Sequence, residues 1–147
     1  MAEGKRPALT LRLSAPAWAA VQRHAESGYP HEVCGILIGQ AGDQPSAAEA
    51  HPCSNVNKER ARDRYLMDPQ EQMRLEKDAR NRGLDVLGYY HSHPDHPAVA
   101  SATDNQLSWE SVHYLIVAVR DGKVVDHKAW WRDPGSPGLG EENLQLP

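Results

Sequence analysis

The sequence predicts an α/β fold in which a mixed β-sheet is flanked by a long helix on either side. Three largely apolar runs indicate buried strands, and they lie at Val33–Ile38, Leu84–Tyr90 and Tyr114–Val119. The first of them is expected to be a central strand covered on both faces. Two stretches between predicted strands carry helix signals, each with a capping residue, an early proline and a glycine at the end. Strands that alternate with helices are typical of the α/β class.

The first predicted elements are a strand and a helix. Apolar and polar residues alternate over Leu9–Leu13, which predicts a strand, and we expect it at a sheet edge. Ser14 as N-cap and Pro16 in the first turn predict the helix start. Gly28 and Pro30 predict its end.

The next segment predicts a strand pair and a loop. After the central strand Val33–Ile38, a turn at 41–45 leads to a second strand around Ala47–Cys53, which can return antiparallel. The polar stretch Ser54–Arg64 predicts a loop, and Tyr65–Met67 predicts a short strand.

A second helix follows directly. Asp68 is placed as its N-cap, Pro69 in its first position, and Glu71 where it would complete a capping box. The helix is predicted to continue to about Arg82 and to end at Gly83.

The C-terminal third predicts a short helix, a hairpin and a tail. We expect the helix near Thr103–Trp109. The Asp121–Gly122 turn is predicted to join the strand at Tyr114–Val119 to a returning strand at Lys123–Trp131. Pro, Gly and Ser dominate from residue 133 onward. We therefore predict one domain over 1–132 and a disordered tail over 133–147.

Composition narrows the functional class. The 147 residues carry a formal net charge of −4 without a Lys/Arg stripe, so no nucleic-acid partner is expected. No apolar run reaches membrane-spanning length, and the segment Met1–Arg6 lacks the apolar core of a signal peptide. Two cysteines, Cys34 and Cys53, fit a reduced cytoplasmic protein better than a secreted one. No oligomeric state is predicted.

Two histidines and an aspartate suggest a metal site. His91 and His93 close the predicted strand on one face, and Asp104 follows from the next segment. Two imidazoles and one carboxylate, with a fourth position left to water, form a typical catalytic zinc site. A histidine that ends a strand is more often a hydrogen-bonded structural residue, and Ser101 with Asp104 also matches a helix capping box. The spacing alone leaves both interpretations open.

The same residues resemble the signature of the JAMM (MPN-plus) metalloproteases. That signature is His, Ser or Thr, His, seven residues, Ser, two residues and Asp, with a Glu far upstream. His91, His93, Ser101 and Asp104 occupy its positions, and Glu32 matches the upstream acid. The resemblance covers roughly residues 9 to 131 and implies the JAMM/MPN fold, which is cytidine-deaminase-like.

The resemblance implies a role for each residue. His91, His93 and Asp104 would hold Zn²⁺, which lowers the pKa of its water to about 7. Glu32 would act as general base, although a lone acid at the start of a strand is more often merely solvated. Ser101 would donate a hydrogen bond to the oxyanion, unless it serves only as the N-cap.

The remaining histidines and cysteines have simpler interpretations. We expect His96 to be exposed in a loop and His113 and His127 to be structural. Cys34 lies within the buried strand and is expected to be inert packing.

The resemblance is to the small bacterial single-domain members, which act on ubiquitin-like sulfur-carrier proteins that end in Gly-Gly. It implies a zinc-dependent peptidase or isopeptidase that cleaves after this Gly-Gly or releases the carrier's cysteine adduct. Such a tail can lie extended in a groove and pair with an exposed strand edge. A catalytically silent MPN-type scaffold is the alternative, although every ligand position is filled. DNA-repair relatives of this signature usually have Asn where Ser92 stands here.

Overall fold

Within residues 10–147, which a computed structural model of the protein describes, seven strands and three helices follow one another. Their bounds are β1 Thr10–Leu13, α1 Ala15–Gly28, β2 Cys34–Gln40, β3 Ser46–Cys53, α2 Pro69–Asn81, β4 Asp85–Pro94, α3 Ala102–Leu107, β5 His113–Arg120, β6 Lys123–Trp131 and β7 Gly140–Gln145. The first residue of the predicted strand, Leu9, and the segment Met1–Arg6 lie outside the described residues.

The strands form one mixed sheet that closes on itself in the order β1, β3, β2, β4, β5, β6, β7. β1 runs parallel to both β3 and β7, and β4 runs parallel to β5. The other neighbours are antiparallel, including the predicted pair of β2 and β3. The predicted α/β fold with a mixed sheet is confirmed, and the closure of the sheet is an addition to it.

Helix α1 begins and packs as its sequence predicts. The Ser14 side chain accepts a hydrogen bond from the amide of Ala17, which satisfies one of the free N–H groups of the first turn. Ala17, Val21 and Ala25 form the buried face of the helix and belong to the core cluster that contains Leu37 of β2.

Helix α2 covers the opposite side of β2. Its residue Ala79 is buried in a second cluster with Ile36 and Ile38, which alternate with Leu37 along the strand. The central strand is therefore covered on both faces, as predicted. Asp68 caps the helix, but the predicted capping box is absent, because Glu71 instead accepts a hydrogen bond from the amide of Ser54.

An irregularity in β4 sets the direction of the two histidines. Leu37 pairs with Gly88 and Ile38 pairs with Val86, so Leu87 is an extra residue between them. Beyond this bulge His91 pairs with Cys34, whose side chain lies in the α2-side cluster. Directly paired residues point to the same face of a sheet. The bulge therefore turns the end of β4 so that His91 faces the α2 side.

Two expectations about the sheet are wrong. β1 is not an edge strand, because it lies between β3 and β7. The tail predicted to be disordered contains β7, which pairs with β6 and β1 and places Leu144 against the core. Composition did not reveal this strand, because its main stabilisation comes from backbone pairing with distant segments and only one apolar side chain. No helix in the described part of the chain is long and apolar enough to cross a membrane.

Candidate metal centre and active site

Three side chains converge at the end of β4. The Nε2 atoms of His91 and His93 lie 3.2 Å apart. Asp104, at the start of α3, places Oδ1 at 3.1 Å from His91 Nε2 and Oδ2 at 3.0 Å from His93 Nε2. The histidine side chains are 1% and 7% exposed and that of Asp104 is 10% exposed, so the cluster is largely shielded from solvent.

This donor set fits a tetrahedral cation. Bonds of about 2.0–2.2 Å to nitrogen and oxygen place neighbouring ligand atoms roughly 3.3 Å apart, close to the separations observed here. His93 Nδ1 lies 2.8 Å from the carbonyl oxygen of Pro97, a contact in which the nitrogen must donate. The lone pair of neutral His93 therefore resides on Nε2, which faces Asp104. The three residues could hold a metal ion.

Burial and hydrogen bonding shift the pKa of each group in the metal-free cluster. Burial lowers the pKa of His91, which keeps this imidazole neutral. Burial by itself would raise the pKa of Asp104, but hydrogen bonds from His91 and His93 hold it well below its usual range. Burial opposes charge on His93 as well, yet Asp104 and the Pro97 carbonyl raise its pKa overall. The metal-free site is thus an ionised carboxylate that favours a proton on His93, while burial keeps His91 neutral, and a metal ion would have to displace the His93 proton.

The surroundings of His91 are largely apolar. The Tyr65 ring stacks on its imidazole with centroids 4.7 Å apart and planes 27° from parallel. Ile116 of β5 is its direct partner in the sheet and is fully buried. His91 Nδ1 has no hydrogen-bond partner among the described residues. Packing therefore holds this ring in place.

Asp104 also caps the helix that carries it. The Ser101 hydroxyl accepts a hydrogen bond from the Asp104 amide at 3.0 Å, and Asp104 Oδ2 accepts one from the Ser101 amide at 2.8 Å. This reciprocal capping box was one of the two interpretations that the sequence left open. The structure shows that the cap does not compete with the cluster, because the capping carboxylate is the one that faces the histidines.

The segment after β6 holds α3 in position, a contribution that the sequence did not reveal. Asn105 Nδ2 donates to the carbonyl of Ser101 at 3.0 Å, and its Oδ1 accepts from the amide of Leu139 at 2.7 Å. Arg132 Nη1 donates to the carbonyl of Ser108 at 2.9 Å. No local motif marks these residues, because their partners are distant in the chain.

Glu32 lies beside the cluster, two residues before the start of β2 at Cys34. It shares a cavity of about 60 Å³ with His91, Ser101 and Asp104. The residue is 7% exposed, and burial, reinforced by the charge of Asp104, raises its pKa to about 7 although His93 opposes the shift. A carboxyl group with this pKa can accept and return a proton near neutral pH.

Hydrogen bonds fix the backbone on both sides of Glu32. The Glu32 amide donates to the carbonyl of Ala61 at 2.6 Å, and Asn55 Nδ2 donates to the Glu32 carbonyl at 3.1 Å. The next amide, of Val33, donates to the hydroxyl of Ser92 at 2.9 Å. Ser92 thereby links the start of β2 to the strand segment that carries both histidines.

The other residues considered from the sequence lie outside the cluster. His96 is exposed, and His113 is buried in a 2.6 Å pair with Glu142. Cys34 and Cys53 are free and buried, and burial raises the pKa of each thiol to about 12, which makes them poor nucleophiles.

Named relatives match most of the chain. A desampylase of Haloferax volcanii is 39% identical over 128 residues, which cover 84% of this chain and 89% of the relative. A CysO-cysteine peptidase of Mycobacterium tuberculosis is 35% identical over 105 residues, which cover 69% of this chain and 68% of the relative.

Two solved structures resemble this chain over most of its length. A solution structure of a protein from Desulfitobacterium hafniense matches with a TM-score of 0.79 and 32% identity, over 93% of this chain and 92% of that one. A second solution structure, of a protein from Salinibacter ruber, matches with a TM-score of 0.71 and 32% identity, over 92% of this chain and 91% of that one. The model of the Prok-JAB family matches residues 14–133, and the resemblance seen in the sequence is confirmed. The chain belongs to this family, the prokaryotic homologs of the JAB domain.

Proposed function

We propose that this protein is a zinc-dependent peptidase or isopeptidase. Its substrate is a ubiquitin-like sulfur-carrier protein, and it cleaves after the C-terminal Gly-Gly or releases the carrier's cysteine adduct. The observation that carries the proposal is the convergence of His91, His93 and Asp104 beside a buried Glu32. The desampylase and the CysO-cysteine peptidase among its relatives support a hydrolase of this substrate class.

The metal would be held by the Nε2 atoms of both histidines and by the carboxylate of Asp104. Zinc at such a site supplies a Lewis acid and a water with a pKa of about 7. The protein's own contribution is geometric. The Pro97 carbonyl orients His93, the Tyr65 ring orients His91, and the capping box orients Asp104.

Glu32 acts as the general base in this proposal. In its ionised form it takes a proton from the attacking water and later gives it to the leaving amine. Because the pKa of Glu32 is raised to about 7, both transfers are accessible near neutral pH. The hydrogen bonds from Asn55 and to Ala61 hold its backbone still while the proton moves.

Ser101 is proposed to stabilise the oxyanion. Its hydroxyl oxygen accepts a hydrogen bond from the Asp104 amide. The hydroxyl hydrogen of Ser101 therefore remains available to donate into the cavity. One such donor typically contributes about 3–4 kcal/mol to transition-state stabilisation.

The cavity and its surroundings suit a glycine tail. A space of about 60 Å³ beside the catalytic residues admits an extended chain without bulky side chains. A neighbouring apolar cleft, bounded by Tyr65, Leu66, Leu107 and Trp109, can receive the residues that precede the Gly-Gly. We also propose a cytoplasmic location, since both cysteines are free.

The test is cleavage of a purified sulfur-carrier adduct, followed by intact mass, with and without a chelator. We expect the wild type to release the adduct, chelation to stop release, and Glu32→Gln to lower kcat by roughly 10²–10⁴-fold while zinc stays bound. Glu59→Gln, at an exposed loop position, is the matched control and should retain full activity. Undiminished cleavage by Glu32→Gln would remove Glu32 from the mechanism.

Zinc content separates this proposal from a catalytically silent scaffold. Native mass spectrometry at neutral pH should show one zinc ion per chain. A chain that is purified with zinc present and still binds no stoichiometric metal would favour the scaffold.

A further inference from the structure

Two clefts meet at Arg64, beside the proposed catalytic residues. The first is the cavity over the metal-ligand cluster, and the second runs past His93, Pro97 and Val99. Residues lining both clefts are Glu32, Asp63, Arg64 and Ser101. A substrate whose scissile bond lies at Glu32 and Ser101 therefore extends past Arg64.

The backbone of Arg64 is fixed relative to Glu32. Asn55 Nδ2 donates to the carbonyls of both Glu32 and Arg64, each at 3.1 Å. Asn55 Oδ1 accepts from the amide of Leu66 at 3.0 Å, and the Arg64 amide donates to the carbonyl of Arg60 at 2.8 Å. One asparagine side chain thus connects the proposed base and the arginine.

Among the described residues, Arg64 acts on the carboxylates of Asp63 and Glu32 through its charge and without a hydrogen bond to either. The Asp63 carboxylate is bound by Arg60, which lowers the pKa of Asp63. Among the described residues, the hydrogen bond that Arg64 makes through its guanidinium is from Nη1 to the carbonyl of Asp63 at 3.1 Å. A planar guanidinium has five N–H donors, so further donors remain for a carboxylate, which it can bind in a bidentate manner.

We propose that Arg64 is a specificity-determining residue that binds the α-carboxylate of the leaving group. The preferred substrate then carries a single free amino acid after the Gly-Gly, and a lysine-linked isopeptide, whose leaving group is a whole protein, is disfavoured. This inference rests on the proposed function and deepens it.

The chemistry needs no additional reactant. The bond between the last glycine carbonyl carbon and the next nitrogen breaks, the hydroxyl of water joins the carbon, and the proton goes to the nitrogen. Arg64 takes no part in these bond changes.

The test compares two substrates that differ only in the terminal group. A sulfur-carrier protein extended by one alanine beyond Gly-Gly is prepared by ligation as the free acid and as the C-terminal amide. We expect the wild type to cleave the acid with a kcat/KM at least about tenfold higher, since hydrogen bonds to charged groups contribute this much. A third substrate, with the Gly-Gly on a lysine side chain of a folded protein, should be cleaved more slowly than the acid.

Variants of Arg64 then test whether this residue causes the preference for the acid over the amide. Arg64→Gln should lose the acid-over-amide preference, mainly through a higher KM for the acid, and Arg64→Lys should recover part of it. Arg62→Gln is the matched control, because Arg62 is exposed and lines neither cleft. If Arg64 acted only by changing the environment of Glu32, Arg64→Gln would slow cleavage of the acid and the amide equally, and that result would overturn the proposal. Equal cleavage of the two substrates by the wild type would also overturn it.

A binding measurement keeps the two proposals separable. In the zinc-loaded Glu32→Gln protein, calorimetry should show tighter binding of the acid than of the amide, and the added Arg64→Gln change should abolish the difference. If the wild type cleaves neither substrate, the proposed function fails, and this binding comparison still decides the role of Arg64. Equal binding of acid and amide would refute it.

Discussion

At the scale of single residues, two side chains of the proposed metal site each have two partners. Asp104 faces the histidines and caps α3, while His93 faces Asp104 through Nε2 and Pro97 through Nδ1. The Ser92 hydroxyl accepts a hydrogen bond from the amide of Val33, and Ser92 lies between the two histidines in the sequence. Because a second partner restricts His93 and Asp104, the atoms proposed as metal ligands are already positioned in the metal-free protein.

Substitutions at Asp104 separate its two roles. Asp104→Asn keeps an oxygen that can accept a hydrogen bond from the Ser101 amide but removes the charge, so zinc should bind at least about a hundredfold more weakly. Asp104→Ala should also lose the cap, at a cost of about 1 kcal/mol in the free energy of unfolding. Chelator competition and urea unfolding measure the two quantities. Wild-type zinc affinity in Asp104→Asn would exclude this residue as a ligand.

Glu32 is expected to lower the stability of the metal-free protein at alkaline pH. Its folded pKa of about 7 lies above the ordinary 4.5, so the folded state retains the proton more strongly than the unfolded state. The stabilisation is complete below pH 4.5 and is lost as the pH rises through 7. Glu32→Gln removes this dependence and should be more stable at pH 8 by about 2–3 kcal/mol.

Urea unfolding in the presence of a chelator, at pH 5 and pH 8, tests this expectation. The advantage of Glu32→Gln should be small at pH 5 and large at pH 8. Equal stability of the two proteins at both values would mean that Glu32 is not desolvated in the folded state.

At the scale of elements, α3 depends on the segment that connects β6 to β7. Asn105 connects the N-cap carbonyl of Ser101 to the amide of Leu139, and Arg132 connects β6 to the end of α3. The helix has six residues, too few to be stable by itself. Its position, and with it that of Asp104, is therefore set by tertiary hydrogen bonds.

Asn105→Ala should weaken zinc binding although Asn105 does not contact the ligand cluster. The loss of both hydrogen bonds frees α3 to shift, and we expect the zinc dissociation constant to rise by about 10-fold. Gln106→Ala, on the exposed side of the same helix, is the matched control. An unchanged dissociation constant with Asn105→Ala would mean that the remaining contacts position Asp104 without it.

The elements that sequence analysis predicted well are those whose signals are local. Ser14 and Asp68 cap α1 and α2 through the next few amides, so both helices begin where predicted. The signal at Ser101 and Asp104 is also local, since their spacing within one turn matched a capping box, and the structure shows that box at the start of α3. Glu71 is different, because its actual partner, the amide of Ser54, lies outside the helix.

At the scale of the whole molecule, the last strand joins the two ends of the sheet. β7 pairs with β6 at Ala129–Trp131 and with β1 at Thr10–Arg12. The Glu142 carboxylate on β7 forms a 2.6 Å pair with His113 of β5, and both side chains are buried. The sequence did not predict this closure, because strand pairing between distant segments leaves no pattern in either one.

The pair of His113 and Glu142 should contribute strongly to the stability of the closed sheet. Glu142→Ala leaves a buried histidine without its partner, and we expect a loss of about 3 kcal/mol in the free energy of unfolding. Glu141→Ala in the same strand is the matched control, since its contact with Lys128 is exposed and should contribute less than about 1 kcal/mol. Equal losses in the two variants, measured by urea unfolding, would argue against a special role for the buried pair.

The contacts that close the sheet are short, and this decides where another chain could join it. In the described part of the chain, β1 pairs with β3 at Ser46 and Ala47, and β7 pairs with β6 at Ala129–Trp131. The rest of β3, over 48–53, and the rest of β6, over 123–128, therefore have a strand neighbour on one side alone. A polypeptide tail that extended this sheet would have to pair along one of these two segments.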